Sequence, residues 1–276
     1  MIHKKMANND KDIIFITAFR DIGRSSWSHY QRNTVEYIQR FFNLTLKLNN
    51  RIVAFVDPPV IQTILTSFAN AEVQTNGAIK FPVNLTLVSY GTPKYWREFF
   101  ELDCTILSSE SYKNLIPERR KFNPEHCRPG YNLANHVKIN FIKQVKDTYP
   151  DYRFYAWVDF GFLLDRPVSL SKVNIDNLDA SKVTFGRQTL PRKIDALEML
   201  TTDEIYIRGG TFFIPKDLVD RFEDLYYKKL QQWYNELHIT DDDQNLLLQL
   251  YNDEPSLFCL IAADWFTLLY TVAQNQ

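Results

Sequence analysis

Asp159 is the first residue whose type and position predict chemistry. It follows the apolar run RFYAWV within RFYAWVDFGF (153–162), so it ends a predicted buried strand. In open α/β sheets the ligand crevice lies outside the carboxyl ends of the strands, which is where this carboxylate is expected. The alternative is that Asp159 only caps the turn that follows.

The second acidic segment is Asp241-Asp242-Asp243, followed by Gln244. Carboxylates in the first turn of a helix are favoured by the helix dipole, and Thr240 is the predicted N-cap. If this helix start faces the same cleft as Asp159, one of the carboxylates can deprotonate a hydroxyl group or stabilise developing charge. A purely structural role as helix caps is the alternative.

Two further segments are expected at the same cleft. Arg208-Gly209-Gly210-Thr211 contains a glycine pair, which allows a close backbone approach to a ligand or simply a tight turn. The predicted first strand ends in Thr17-Ala18-Phe19-Arg20-Asp21, with Arg24 nearby. These residues offer an aromatic ring for base stacking and guanidinium groups for phosphate, although Arg20 and Asp21 can also form a surface pair.

Lys138 and His136 lie in the most basic window of the chain, residues 113–146. An anionic ligand such as a diphosphate would explain this basic window, and so would a solvated helix face. His136 is expected to face the cleft or to be structural. No second His or Cys follows it at zinc-ligand spacing.

The elements that must position these residues alternate between strands and helices. Apolar segments predict strands at residues 13–19, 51–57, 84–90, 153–162, 182–187 and 211–215. Helical periodicity predicts helices from Trp27 to Phe41 and across 60–69, 93–104, 133–145 and 218–237. This alternation indicates an α/β fold with a mainly parallel sheet covered by helices.

Composition limits the possible functions. The 276 residues carry 32 basic and 33 acidic side chains, so no overall positive charge points to a nucleic-acid partner. Three dispersed Cys and a polar N-terminus without an apolar stretch favour a cytoplasmic protein, at most associated with the inner face of the membrane. We expect residues 1–12 to be a flexible tail and residues 13–276 to form a single domain.

Taken in order, several motifs make the sequence resemble the HtrL/YibB family. They are TAFRDIGR followed by Trp27, Asn135-His136-x-Lys138, WVDFGF, Gly209-Gly210, and DDQ followed by Pro255-x-Leu257-Phe258. The resemblance implies a GT-A-like, Rossmann-like fold and a glycosyltransferase that uses a nucleotide-sugar, in the first place a UDP-sugar. The implied acceptor is a glycan or a lipid-linked, lipopolysaccharide-type saccharide.

The resemblance also implies a role for each matching residue. A GT-A enzyme has a D-x-D motif whose carboxylates hold the ribose and a divalent cation, Mn²⁺ or Mg²⁺. Here Gly161 takes the second position, so Asp159 is the one expected metal ligand, and Lys138 with the arginines is the alternative holder of the diphosphate. The expected catalytic residues are Asp242, Asp243 and Gln244. The expected donor-binding residues are Thr17, Phe19, Arg20, Arg24, Asp57, Lys138, Asp159, Gly209 and Gly210.

Two other functions remain open from the sequence. The missing second Asp is compatible with a catalytically inactive protein that binds a nucleotide-sugar or acts as a scaffold. Nucleotidyl transfer on a similar sheet is the third option.

Overall fold

A seven-stranded sheet forms the centre of the protein in the computed structural model, which describes residues 11–162, 173 and 175–273. The strand order is β3-β2-β1-β4-β6-β5-β7. Strand β6 is antiparallel to its neighbours β4 and β5, and every other pairing in the sheet is parallel. The strands are β1 (Ile13–Phe19), β2 (Arg51–Val56), β3 (Leu85–Ser89), β4 (Phe154–Val158), β5 (Val183–Arg187), β6 (Ile207–Pro215) and β7 (Phe258–Ala262).

Helices cover both faces of this sheet. Successive residues of β1 point into two different cores, with Ile14 and Ile16 in one and Ile13 and Phe15 in the other. Strands buried on both faces are typical of parallel sheets enclosed by helices. The predicted fold class, a mainly parallel sheet flanked by helices, is therefore confirmed.

The helices that carry residues of the site begin either directly after a strand or within a longer segment that connects two strands. The α-helices are α1 (Thr34–Lys47), α2 (Pro58–Gln74), α3 (Lys94–Ser108), α4 (Glu110–Leu115), α5 (Pro124–Cys127), α6 (Tyr131–His136), α7 (Lys138–Thr148), α8 (Ala196–Met199), α9 (Val219–Gln231), α10 (Asp243–Asp253) and α11 (Leu268–Ala273). A π-helical segment, Gln232–Leu237, extends α9.

Several predicted boundaries were wrong. The first helix begins at Thr34 and not near Trp27, because Asn33 caps it by accepting a hydrogen bond from the Val35 amide. Thr240 is not the cap of α10. Asp242 takes that position and accepts from the Gln244 amide, while the Thr240 hydroxyl is buried and donates to Asp103 at 2.6 Å.

The predicted tail, residues 1–12, lies almost entirely outside the described residues. Among the helices of the described ranges, none is both long and apolar enough to cross a bilayer.

Candidate active site

A cleft of about 560 Å³ opens at the carboxyl ends of the parallel strands. Its walls come from the segments after β1 and β4, the start of β6, the junction of α6 and α7, and the start of α10. The volume lies in the usual range for sites that bind small ligands or cofactors. The predicted site residues that line it are Phe19, Arg20, Arg24, Lys138, Asp159, Gly209, Gly210, Asp242, Asp243 and Gln244.

Lys138 joins the two acidic segments at the base of this cleft. Its Nζ lies 2.8 Å from Asp243 Oδ2 and 3.4 Å from Asp159 Oδ1, and it donates to the Gly209 carbonyl at 3.0 Å. The side chains of Lys138 and Asp243 are 6% and 7% exposed, whereas that of Asp159 is 44% exposed. The ammonium group is therefore enclosed by its partners, and Asp159 is the member of this trio that reaches the open cleft.

Burial and charge shift the pKa values of these groups in different directions. Burial alone would lower the pKa of Lys138, but Asp159 and Asp243 outweigh it and raise this pKa above its usual value. Burial raises the pKa of Asp159, and the ammonium group of Lys138 opposes this shift. Burial and the neighbouring carboxylates Asp241 and Asp243 also raise the pKa of Asp242 well above its usual value. Lys138 is thus cationic across the physiological pH range.

The glycine pair makes room for the two acidic side chains. Gly209 and Gly210 lie within β6 and not in a turn, so the predicted turn was wrong. Because β6 runs antiparallel to β4, its start lies beside the end of β4, and the Asp159 amide donates to the Gly210 carbonyl at 2.9 Å. A Cβ atom on Gly209 would lie 2.0 Å from Asp243 Oδ2, and one on Gly210 would lie 3.3 Å from Asp159 Oδ2.

We expect Gly209→Ala to destabilise the protein more than Gly210→Ala. The new methyl group at 209 meets a buried carboxylate that Lys138 holds in place, and overpacking of this kind costs about 1–3 kcal/mol. At 210 the neighbouring Asp159 is partly exposed and can move by a few tenths of an ångström. Urea unfolding of both variants measures the difference, and equal free energies of unfolding would show that Asp243 is not fixed against β6.

The close approach of Tyr37 to Gly161 explains why the second Asp of a D-x-D motif is absent here. A Cβ atom on Gly161 would lie 2.4 Å from two ring carbons of Tyr37. The ring of Tyr37 on α1 therefore occupies the space that a second Asp would need. Among the described residues, the nearest charged partner of Asp159 is the Lys138 ammonium group, so Lys138 takes the place beside this carboxylate where a divalent cation would be expected.

Aromatic rings and arginines form the wall of the cleft after β1. The ring of Phe19 packs 5.3 Å from that of Tyr37 and 5.0 Å from that of Phe160. The guanidinium group of Arg20 lies over the ring of Trp96 at 4.1 Å. These contacts fix the orientation of both predicted residues at the cleft surface.

Arg24 is held by several groups at the same wall. Its Nη1 donates to the Tyr37 hydroxyl at 3.0 Å and its Nη2 to the Tyr30 carbonyl at 3.1 Å. Its guanidinium group also lies over the rings of Trp27 and Tyr131. The cation is thereby presented to the cleft in one conformation.

Two predicted donor-binding residues do not line the cleft. Thr17 is completely buried within β1. Asp57 lies at the start of α2, and its Oδ2 accepts from the Asp21 amide at 2.9 Å. Asp57 therefore shapes the loop after β1 and contributes to the site through Asp21, which does line the cleft.

Buried polar contacts fix the acidic segment at the start of α10. Asp242 Oδ1 accepts from the Gln244 amide and its Oδ2 from Gln244 Nε2, at 3.0 and 2.7 Å. The carbonyl of Asp241 accepts from His136 Nε2 at 3.0 Å. Asp242 and Asp243 consequently face the cleft, whereas Asp241 is buried beneath it.

His136 does not face the cleft as one of the two sequence interpretations expected. It is fully buried, its Nδ1 accepts from the Tyr226 hydroxyl at 2.7 Å, and burial lowers its pKa to about 3. The ring is therefore neutral, and its role is to position Asp241.

Sequence reasoning left several cleft-lining residues unassigned, among them Arg32, Tyr37, Arg40 and Trp265. Arg32, Tyr37 and Arg40 come from the first turns of α1 and the segment before it, and Trp265 follows β7. Arg32, Tyr37 and Arg40 could have been found from their position after the first strand of a β-α unit, because sheets of this kind bind ligands there. No local pattern marked Trp265.

A possible metal-binding group lies elsewhere, in the interior. Glu125, His126 and Asp241 form the one group of three such side chains found among the described residues. Asp159, the predicted metal ligand, is not in it.

Comparison with known proteins identifies the family. The profile of the HtrL_YibB family, described as a bacterial protein of unknown function, matches residues 11–274. The "Protein HtrL" of Escherichia coli (strain K12) is 23% identical over 281 residues, which cover 94% of this chain and 92% of that protein.

Similarity to solved structures is weak. A glycosyltransferase involved in glycosylation of the major capsid of PBCV-1 gives a TM-score of 0.41 at 9% identity, over 91% of this chain and 81% of that one. The 4-diphosphocytidyl-2C-methyl-D-erythritol synthase of Anaerococcus prevotii gives 0.39 at 12% identity, over 94% and 92%. Because the family profile covers nearly the whole chain, the predicted resemblance is confirmed and this protein belongs to the HtrL_YibB family.

Proposed function

We propose that the protein is a glycosyltransferase that moves a sugar from a nucleotide-sugar, in the first place a UDP-sugar, to a glycan or lipopolysaccharide-type acceptor. The observation that carries this proposal is the convergence of Asp159 with Asp243 on the single ammonium group of Lys138, at the base of a cleft lined by aromatic rings and arginines.

The wall after β1 is suited to the nucleotide. Phe19 offers an aromatic ring for a base, and Arg20 and Arg24 offer guanidinium groups that suit the geometry of phosphate oxygens. Arg32 and Arg40 line the same wall and add positive charge. We assign the diphosphate to these arginines.

We assign Lys138 a role that differs from the expected direct contact with the phosphates. Its ammonium group already donates to Gly209 and Asp243 and is almost completely buried. We assign to it the positioning of Asp159 and Asp243 at the edge of the donor sugar, beside the glycine pair.

The reaction that suits this arrangement breaks the bond between the sugar anomeric carbon and the phosphate oxygen. The nucleoside diphosphate leaves with the electron pair, and the arginines stabilise its charge. The acceptor oxygen forms the new bond to the anomeric carbon, and a carboxylate takes the hydroxyl proton. Asp242 and Asp243 are the carboxylates for the sugar and the acceptor, with Gln244 beside them.

Position 161 offers no carboxylate as a second ligand for a divalent cation at Asp159, and the ring of Tyr37 fills the space beside Gly161. The arginines that line the described part of the cleft supply the positive charge that the departing diphosphate requires.

The test is a panel of UDP-, GDP-, ADP- and CMP-sugars, with and without Mn²⁺. A ligand bound by the native state raises its melting temperature, and turnover releases the nucleoside diphosphate. We expect one donor class to bind without Mn²⁺, and Asp159→Ala to weaken its affinity about tenfold, which corresponds to about 1.4 kcal/mol. The variant should melt within a few degrees of the wild type.

Asp151→Ala is the matched control, since Asp151 is an exposed carboxylate just before β4. Collapse of the Asp159 variant would assign that residue a structural role. Donor binding without turnover or hydrolysis across a broad acceptor panel would favour an inactive binding protein, and pyrophosphate as product would indicate nucleotidyl transfer.

A further inference from the structure

We propose that Glu125, His126 and Asp241 bind a divalent transition-metal ion in the interior of the protein, behind the acidic segment of the cleft. One potential ligand atom from each side chain lies within 4.8 Å of the others. Carboxylate oxygens and a neutral imidazole nitrogen together suit Zn²⁺ or Mn²⁺. The proposal concerns metal binding and holds whichever reaction the cleft performs.

The hydrogen bonds of Tyr112 determine which nitrogen of His126 is free. The single hydroxyl proton of Tyr112 is donated to the Thr240 carbonyl at 2.6 Å, because a carbonyl can only accept. The Tyr112 oxygen lies 2.8 Å from His126 Nδ1 and must accept from it. In a neutral ring the other nitrogen, Nε2, then carries a lone pair.

This Nε2 atom is buried and has no hydrogen-bond partner. The side chain of His126 is 0% exposed, and the carboxylate atom Oε1 of Glu125 lies 4.0 Å from Nε2, too far for a hydrogen bond. A buried polar atom without a partner costs free energy, so its presence needs an explanation. A cation between Nε2 and the two carboxylates supplies one.

His136 provides a contrast within the same region. It is also buried beside Asp241, but both of its nitrogens are engaged, by the Tyr226 hydroxyl and the Asp241 carbonyl. Burial in this region is therefore compatible with a fully paired imidazole. Only one of these two rings leaves a nitrogen directed at carboxylates.

Charge also favours a cation at this position. Among the described residues, Glu125 and Asp241 share the guanidinium group of Arg120, whose Nη2 lies 3.5 Å from Glu125 Oε1. Arg120 is held by Nη1 donating to the carbonyls of Met199 and Leu200, at 3.2 and 2.7 Å. Its Nε also lies 3.6 Å from Asp203 Oδ1, so one guanidinium group faces three carboxylates.

Metal binding would require a modest contraction of the cluster. A tetrahedral ion with bonds of about 2.1 Å holds its ligand atoms about 3.4 Å apart, so the side chains would move inward by roughly 1 Å. The hydrogen bond from His126 Nδ1 to Tyr112 is the outer contact that commonly orients a metal-bound histidine. The bound ion would also fix Asp241, which directly precedes the cleft-facing pair Asp242 and Asp243.

The metal content of the untagged protein tests this proposal. After dialysis against metal-free buffer, we expect about one equivalent of Zn²⁺ or Mn²⁺ by mass spectrometry, and a Glu125→Gln variant with at least tenfold less. Chelation should lower the melting temperature of the wild type by several degrees, and added ZnCl₂ or MnCl₂ should restore it. Co²⁺ should give visible absorption bands typical of a protein site.

His29→Ala is the control for adventitious surface binding, because His29 is exposed, and it should keep the metal. Wild-type protein that is metal-free, gains no thermal stability from ZnCl₂, MnCl₂ or CoCl₂ and shows no Co²⁺ bands would overturn the proposal. This outcome can be read from the wild type alone, even if the Glu125 variant fails to fold.

Discussion

Replacing Asp243 with Asn is expected to lower turnover about 10²-fold or more, the usual contribution of a group that acts in acid-base chemistry or charge stabilisation. Asp243 combines a place in the cleft wall with a 2.8 Å contact to Lys138. The amide keeps the shape of the carboxylate but removes the charge that faces both the sugar and the ammonium group. Steady-state release of nucleoside diphosphate measures the effect.

Measuring kcat and KM separately for the Asp243→Asn variant shows at which stage of the reaction Asp243 acts. If it acts in the transition state, kcat and kcat/KM fall together while donor affinity is kept. Asp253→Asn makes the same change at the exposed end of α10 and should leave turnover unaltered. Unchanged turnover in the Asp243 variant would remove this residue from the mechanism, and a parallel Asp242→Asn variant would then identify the acting carboxylate.

The sheet could be predicted because each strand of the parallel half is an apolar run of the right length. β1 agrees with its predicted range, and β2 and β3 agree within one residue at either end. Helix boundaries were less predictable where tertiary contacts decide them. Thr240 looked like the cap of α10, yet its hydroxyl is drawn into the buried hydrogen bonds of Asp103.

The candidate site was predictable at the level of segments but not of contacts. Carboxylates at strand ends and helix starts were expected to share a cleft, and Asp159 and Asp243 do share one. That Gly209 serves to admit Asp243 depends on the antiparallel placement of β6 beside β4, which local patterns do not encode. The same holds for Tyr37, whose ring fills the space beside Gly161.

The contacts that Asp241, before α10, makes in the interior were the least predictable part of the candidate site. His126 and Asp241 are far apart in sequence and lack the close spacing that identifies metal sites in a sequence. Their proximity follows from the packing of α5 and α6 against the segment before α10. Asn132 on α6 donates to both the Glu125 carbonyl and the Thr240 hydroxyl, and thereby joins these segments.

Lys138→Met is expected to destabilise the protein by about 3–5 kcal/mol, the usual result of removing one partner from a buried ion pair. The substitution keeps most of the side-chain volume but leaves the carboxylates of Asp159 and Asp243 without their shared cation. It also removes the hydrogen bond to the Gly209 carbonyl. Urea unfolding measures the loss, and turnover should fall with it because both carboxylates lose their fixed positions.

A double variant distinguishes the loss of charge balance from the loss of packing. Adding Asp243→Asn to Lys138→Met removes one of the two unpaired carboxylates, so it should cost less than the sum of the single changes. Lys143→Met, on the more exposed side of α7, is the matched control and should cost less than about 1 kcal/mol, as for a surface ion pair. Strict additivity of the two single variants would mean that Lys138 and Asp243 do not interact, and that the ammonium group does not join the acidic segments of the cleft.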